Sequence, residues 1–170
     1  MAELAKTESR TGKTLSGIEG KYLTFVLAKE EYGIGILKVR EIIGMLPITM
    51  IPRTPGFIKG VINLRGKVIP VVDLRLKFGM EGVEYTDRNC IIVVEISGAS
   101  GSIQMGIVVD TVSEVVNIKE KDLEETPAFG VRLDIDYILG MAKIAGGVKI
   151  LLDINKVLGG EEISSWPPAN

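Results

Sequence analysis

The chain repeats itself, and this duplication limits its possible folds more than any other feature of the sequence. Residues 32–43 match residues 105–116 at a shift of 73, with a glycine, the apolar positions and the pair Glu41 and Glu114 in step. Similarity at a fixed spacing indicates that one structural unit occurs twice. We therefore predict a protein made of two similar halves.

A second pair of segments extends the duplication. Residues 58–79 match residues 138–159 at a shift of 80. The pairs in step are Gly60 and Gly140, Gly66 and Gly146, Val68 and Val148, and Asp73 and Asp153. Residues that both copies keep are expected to belong to the shared scaffold.

These matches set the expected domain boundaries. They predict one domain over residues 21–160, built from approximate repeats at 21–88 and 89–159. Whether strands are exchanged between the two halves stays open. Residues 1–20 are polar and read as a flexible N-terminal tail, and residues 161–170 read as a C-terminal tail.

The local sequence favours short strands and tight turns. The chain has 20 glycines and 7 prolines against 5% aromatic residues, and Val and Ile occur in nearly every apolar cluster. Between two strand-like runs, Gly66 can take the positive φ that a tight hairpin turn requires. About five short strands per half are too few for an open sheet to bury both faces, whereas a small barrel removes most exposed edges. We predict an all-β fold of two small barrels packed together.

A short helix is predicted at the end of each half. Asp73 and Asp153 each precede an apolar hexad that ends at Gly79 or Gly159. Aspartate at the N-cap and glycine at the C-terminus are typical of short helices. The two aspartates are therefore expected to be structural.

The composition argues against several functions. The chain has no histidine, which removes the usual general base and the commonest transition-metal ligand. Its single cysteine, Cys90, lies in an apolar run and is expected to pack as a small hydrophobe. The net charge of -2 creates no general attraction to nucleic acid or anionic membranes, and no apolar run is long enough to insert in a bilayer. We predict a cytoplasmic protein without catalysis, cofactor or metal.

Binding of single-stranded nucleic acid is the alternative function, because small β-barrels often bind single strands. Such sites combine cations with stacking aromatic residues. Phe57 and Phe78 lie among the cations, but both occupy apolar segments that predict a place in the core. The cations of the first half are Arg53, Lys59, Arg65, Lys67, Arg75 and Lys77.

Positions at which the two copies differ in chemistry are candidates for function. Asn63 and Arg65 of the first copy become Lys143 and Ala145 in the second. The fold therefore does not require the arginine, and Arg65 is a candidate contact residue. If Glu41 lies close to Arg65, the two form either a charge-assisted hydrogen bond at a functional edge or an ordinary exposed ion pair. The spacing does not decide between these readings.

Four apolar residues occupy matching positions in the two copies. Val39 corresponds to Val112, and Ile42 corresponds to Val115. Burial in a core is the simpler explanation for each, and contact with a partner is the other.

Several runs in a fixed order resemble the CheW family of chemotaxis coupling proteins, with the likeness extending from about residue 21 to residue 158. The runs are Tyr32-Gly-Ile-Gly-Ile-Leu-Lys-Val-Arg-Glu41, Phe57-Ile-Lys-Gly-Val-Ile-Asn-Leu-Arg-Gly66, Ile69-Pro-Val-Val-Asp-Leu-Arg75 and Gly106-Ile-Val-Val-Asp-Thr-Val-Ser-Glu114. The resemblance implies two SH3-like five-stranded barrels and no catalysis.

The resemblance also implies two partners. A member of this family joins the regulatory domain of the histidine kinase CheA to the cytoplasmic tip of methyl-accepting chemoreceptors, at receptor arrays on the inner face of the membrane. A related signalling array is not distinguished from chemotaxis. Family positions and the comparison of the two halves together give the candidate partner-binding residues Val39, Glu41, Ile42, Gly60, Asn63, Arg65, Val112 and Val115.

Overall fold

The structure, a computed structural model, describes residues 17–98, 101–124, 137–145 and 147–159. Its strands are β1 (Gly20–Leu27), β2 (Glu30–Gly35), β3 (Val39–Gly44), β4 (Ile58–Leu64), β5 (Lys67–Asp73), β6 (Cys90–Gly98), β7 (Gly101–Val109), β8 (Thr111–Ile118), β9 (Leu123–Glu124), β10 (Ile138–Ile144) and β11 (Gly147–Leu152). Its helices are α1 (Leu74–Lys77), α2 (Ile154–Leu158) and single 3-10 turns at Ile36–Lys38 and Glu120–Asp122. The predicted all-β fold with short helices is confirmed.

The strands form two sheets, and each sheet contains strands from both repeats. One sheet has the order β8-β1-β2-β11-β10-β9 and the other the order β3-β6-β7-β5-β4. Neighbouring strands pair antiparallel with two exceptions, both of them between the repeats: β2 runs parallel to β11, and β5 runs parallel to β7. Strands are therefore exchanged between the two halves.

The two parallel joints are equivalent under the duplication. Gly33 of β2 faces Leu151 of β11, and Gly106 of β7 faces Val71 of β5. A Cβ on Gly33 would lie 3.1 Å from the Leu151 side chain, and one on Gly106 would lie 2.8 Å from that of Ile91. The glycine that the two repeats keep in step is therefore explained by close packing.

Buried side chains form three clusters. The largest lies between the sheets and includes Phe25 of β1 and Ile92 of β6. A second cluster, which includes Ile91, occupies the other face of the sheet that contains β6, and a third surrounds Ala142 of β10 in the other sheet. The apolar run of β6 is thus buried on both faces.

One of the two sheets has six strands instead of the predicted five. The strand β9 pairs with β10 at Met141 and Ala142, which adds a sixth strand to one sheet. At the matching place in the other sheet, Thr49 and Val61 form an isolated bridge. The sixth strand is therefore a slightly longer form of a contact that both sheets make.

The first hairpin is tighter than its sequence indicates. Only Ala28 and Lys29 join β1 to β2, with φ values of 50° and 73°. Positive φ at both central residues is typical of a type I′ turn, which follows the twist of the paired strands. The strand-like runs of the sequence at 22–27 and 32–37 predict a four-residue loop at 28–31, whereas β2 already begins at Glu30.

The predicted helix caps are present. Asp73 accepts hydrogen bonds from the first backbone N–H groups of α1, and Asp153 does the same for α2. Gly79 has a φ of 78°, as expected after a helix, whereas Gly159 has a φ of −94°. Gly159 is instead required by space, because a Cβ there would lie 2.5 Å from the carbonyl oxygen of Asn155.

Some predictions fall outside the described residues, namely most of the N-terminal tail, the C-terminal tail and Gly146. The described end of the N-terminal segment packs on the domain, because Ile18 is buried in the third cluster and Gly20 begins β1. In the part of the chain that the structure describes, no helix combines the length and the apolar character needed to cross a membrane.

Candidate functional site

The hairpin between β4 and β5 presents Arg65 at its tip. Arg65 and Gly66 both have positive φ, 53° and 86°, as a type I′ turn requires. The Gly66 N–H donates to Oδ1 of Asn63 at 2.8 Å, which fastens the turn. Ala145, the counterpart of Arg65, has a φ of 52°. Because an alanine adopts the same φ at the matching position, this conformation does not depend on the arginine side chain.

The Arg65 guanidinium donates a hydrogen bond to the Glu41 carboxylate and forms an ion pair with it. The Arg65 side chain is 70% exposed and that of Glu41 is 31% exposed. Glu41 lies on β3, at the edge of the same sheet. The hydrogen bond and the charge of Glu41 raise the pKa of Arg65, so the arginine stays a cation. The structure therefore brings together the two residues whose proximity the sequence left undecided.

The matching end of the second repeat lacks this ion pair. Glu114 corresponds to Glu41, but Ala145 stands where Arg65 would be. The backbone of Glu114 is held by the Thr24 hydroxyl, which donates to the Glu114 carbonyl oxygen at 2.8 Å and accepts from its N–H at 3.2 Å. The Glu41–Arg65 ion pair is therefore a property of one end of the molecule.

The four apolar candidates divide into two kinds. Val39 and Val112 are half-buried and pack against the cluster between the sheets. Ile42 and Val115 are 44% and 51% exposed. All four lie on β3 and β8, each of which is an edge strand of its sheet. The pairing of β3 with β6 and that of β8 with β1 each contain a register shift. Burial thus explains the first pair, and the second pair is available for contact.

Gly60 is buried, so its role differs from that of Arg65. It has a φ of 140°, and a Cβ at this position would lie 2.0 Å from the carbonyl oxygen of Thr49. Thr49 and Val61 exchange two backbone hydrogen bonds of 2.9 Å. Gly60 therefore allows the segment between β3 and β4 to lie directly on β4. The sequence did not reveal this contact because Thr49 carries no recognisable motif.

A second ion pair, absent from the sequence predictions, joins Arg75 to Asp110. The Nε and Nη2 atoms of Arg75 donate to the two carboxylate oxygens of Asp110 at 2.8 and 2.7 Å, and the Ala28 N–H donates to Asp110 at 2.9 Å. Burial alone would raise the pKa of Asp110, but these hydrogen bonds and the charge of Arg75 hold it below its usual value. Asp110 thereby fastens the hairpin between β1 and β2.

Three of the six cations of the first half make contacts within the chain. Arg65 and Arg75 are paired with carboxylates, and Lys77 Nζ lies 4.5 Å from the ring centroid of Phe57. Phe78 is buried in the core. The two aromatic residues that single-strand stacking would need are therefore occupied or inaccessible.

The model of the CheW-like domain matches residues 21–162 of this chain. The chain belongs to the CheW-like family. It is 42% identical to the chemotaxis protein CheW of Klebsiella aerogenes over 164 residues, which cover 96% of this chain and 95% of that protein. It is also 31% identical to the protein FrzA of Myxococcus xanthus, with 82% and 86% of the two chains covered.

A solved structure agrees with this assignment. The scaffolding protein TtCheW of Thermoanaerobacter tengcongensis superposes with a TM-score of 0.76 at 36% identity, covering 86% of this chain and 97% of that one. The prediction of two SH3-like subdomains is confirmed by this likeness to CheW. Membership of the CheW family makes the chain a chemotaxis scaffold or adaptor and not an enzyme. The nucleic-acid alternative is not favoured.

Proposed function

We propose that this chain is a cytoplasmic adaptor that couples methyl-accepting chemoreceptors to the histidine kinase CheA. In this proposal it binds the cytoplasmic tip of the receptor and the regulatory domain of the kinase, within receptor arrays on the inner face of the membrane. The observation that carries the proposal is the Glu41–Arg65 ion pair at an exposed hairpin tip, in a chain of the CheW family.

The argument for Arg65 as a contact residue rests on what its side chain does not do for the fold. The turn is closed by backbone geometry and by Asn63, and the second repeat makes the same turn with Ala145. An ion pair as exposed as this one adds little stability. A guanidinium fixed by one carboxylate keeps further N–H donors, which suit a carboxylate or a backbone carbonyl of a partner.

The apolar part of the proposed surface consists of Ile42 and Val115, with Val39 and Val112 supporting them from the rim of the buried cluster. We propose that these residues line a groove between the two barrels that receives a helical receptor tip. An amphipathic helix in an apolar groove is a common mode of recognition. A separate barrel end would then bind the homologous regulatory domain of the kinase.

Gly60 and Asn63 fit this proposal as positioning residues. Gly60 is buried and allows the segment between β3 and β4 to lie on β4, while Asn63 fixes the turn that carries Arg65. Substitution of either residue would therefore change binding by moving the contact surface.

The test is the binding of an Arg65→Ala variant to a receptor-tip fragment and to the CheA regulatory domain, measured separately by surface plasmon resonance. We expect circular dichroism to be unchanged and affinity for at least one partner to fall about tenfold or more, as for an arginine at the centre of an interface. Arg40→Ala is the matched control, because it also removes an exposed arginine that is paired with a carboxylate: Arg40 of β3 lies 3.3 Å from Glu95. Unchanged affinity of Arg65→Ala for both partners would remove Arg65 from the site.

Exchanging the charges of Glu41 and Arg65 distinguishes direct contact of Arg65 with a partner from a role of the ion pair within the chain. The double variant Glu41→Arg with Arg65→Glu restores an ion pair within the chain and reverses both charges. If Arg65 contacts a partner, this variant binds as poorly as Arg65→Ala. Recovery of wild-type affinity would mean that the internal pair alone matters.

A further inference from the structure

A cavity lies on the barrel of the five-stranded sheet, away from the Arg65 hairpin. The segment that joins β3 to β4 bounds it, together with the start of β4 and Tyr85. Its volume is about 580 Å³, within the range of small-molecule sites. The walls are mainly apolar and include Met45, Ile48, Met50 and Ile51. A cavity of this size and character fits a small organic molecule.

Contacts on two sides hold the walls in place. On one side, Gly60 permits the paired hydrogen bonds between Thr49 and Val61. On the other, the Tyr85 hydroxyl donates to Oδ2 of Asp73 at 2.6 Å. Burial and this hydrogen bond raise the pKa of Tyr85, so its hydroxyl stays protonated at physiological pH. The cavity is therefore formed before any ligand arrives.

The charged side chains that line the cavity are both cations. Arg53 and Lys59 line it, and its lining includes no aspartate or glutamate. Neither cation forms an ion pair with a carboxylate in the part of the chain that the structure describes. Lys59 lies over the ring of Tyr85, with Nζ 5.9 Å from the ring centroid. Two cations beside an apolar cavity favour a ligand that carries a negative charge.

We propose that this cavity binds a small amphiphilic anion, with an apolar body against Ile48 and Ile51 and a carboxylate, sulfonate or phosphate held by Arg53 and Lys59. The proposal is independent of the coupling function, because the cavity shares no residue with the Glu41–Arg65 ion pair. A ligand here would rest on the segment that leads from β3, and so could adjust the position of that strand.

The test uses the full chain with 8-anilinonaphthalene-1-sulfonate, an apolar sulfonate that fluoresces when it leaves water. We expect saturable binding at one site, with displacement by decanoate and not by decyltrimethylammonium. The double variant Arg53→Asn with Lys59→Gln is expected to lose about tenfold or more in affinity, since two charge-assisted contacts are removed. Asparagine is chosen because Arg53 has a φ of 65°, which asparagine tolerates.

Two further measurements fix the location. The control Arg40→Ala with Lys143→Gln removes two exposed cations elsewhere and is expected to bind as the wild type does. Methyl NMR with decanoate is expected to shift the resonances of Ile48, Met50 and Ile51. Any of three results overturns the proposal: absence of saturable binding, equal displacement by the cationic detergent, or unchanged affinity of the Arg53 and Lys59 variant. Shifts at Leu37 or Val115 in place of the cavity methyls overturn it as well.

Discussion

The two repeats end in hairpins of the same shape but different chemistry. Arg65 and Ala145 have φ values of 53° and 52°, so the backbone does not distinguish them. Arg65 meets Glu41, whereas the repeat that contains the corresponding Glu114 has Ala145 at the position of Arg65. The fold therefore fixes the turn and leaves its tip free to differ. Under the proposed function, this difference places the contact residues of a duplicated protein at one end of the molecule.

The first hairpin of each repeat is also held by a side chain, and the two contacts differ in charge. The hairpin between β1 and β2 is held by Asp110, which accepts from the Ala28 N–H and from Arg75. In the other repeat, Asn155 stands at the position of Arg75, and its Oδ1 accepts directly from the Ser97 N–H at 3.1 Å. The hairpin between β1 and β2 is thus held by an ion pair, and the hairpin between β6 and β7, which contains Ser97, is held by a neutral amide. Only the first should respond to acid.

The largest expected difference between the repeats concerns Gly60 and Gly140. Gly60→Ala places a methyl group 2.0 Å from the Thr49 carbonyl oxygen at a φ of 140°, and we expect a loss of about 3 kcal/mol in the free energy of unfolding. Gly140→Ala meets Ile18 at 3.5 Å, an ordinary contact, and should stay within about 1 kcal/mol of the wild type. Urea denaturation measures both. Equal losses would show that the two glycines are equivalent after all.

The helix caps should differ by a smaller amount. Asp73 is 3% exposed and also accepts from the Tyr85 hydroxyl, while Asp153 is half-buried and its side chain accepts from the N–H groups of Asn155 and Lys156 in α2. Asp73→Ala removes the cap and leaves the Tyr85 hydroxyl without its acceptor, at a cost of about 2 kcal/mol. Asp153→Ala should cost about 1 kcal/mol. The comparison fails if thermal unfolding ranks the two variants in the opposite order.

Acid should weaken the ion pair of Arg75 and Asp110. The pKa of Asp110 is lowered in the folded state from 3.8, so its contribution is complete above that value and disappears as the pH falls through the folded pKa. Asp110→Asn is expected to cost about 1 kcal/mol at pH 7, because both side chains are mostly buried. The gap to the wild type should close as the pH falls below 3.8 and through the folded pKa. Unfolding free energies measured at several pH values test this, and a constant gap would contradict it.

The smallest effects on stability are expected on the edge strands. Ile42→Ser and Val115→Ser should leave the unfolding free energy within about 0.5 kcal/mol of the wild type, because both side chains are exposed. Val39→Ala and Val112→Ala should each cost about 1 kcal/mol, since these half-buried valines support the core. Under the proposed function, the two serine variants bind the receptor tip less tightly than the wild type, although their stability is nearly unchanged. Serine variants that are unstable, or that bind as the wild type does, would break this division.

The sequence predicted what is encoded locally or by repetition. The turn at Gly66, the caps at Asp73 and Asp153, and the difference at Arg65 could all be identified from the residues themselves. The contact between Gly60 and Thr49 could not, because it depends on how a long connection folds back on a strand.

The exchange of strands between the sheets was equally hidden. Duplicated sequences are compatible both with two separate barrels and with two mixed ones, and the choice depends on packing between distant segments. The parallel pairing of Gly33 with Leu151 joins residues from opposite halves of the chain. The Arg75–Asp110 pair also joins the two repeats, and no local pattern marks Asp110 as its acceptor.

The most direct test of the proposed coupling is the rate of CheA autophosphorylation in the presence of membrane-bound chemoreceptor, with and without this chain. The proposal predicts that the receptor controls the kinase only when the chain is present, and that Arg65→Ala restores less control than the wild type at equal concentration. A CheA rate that is the same with and without the wild-type chain would contradict the proposal.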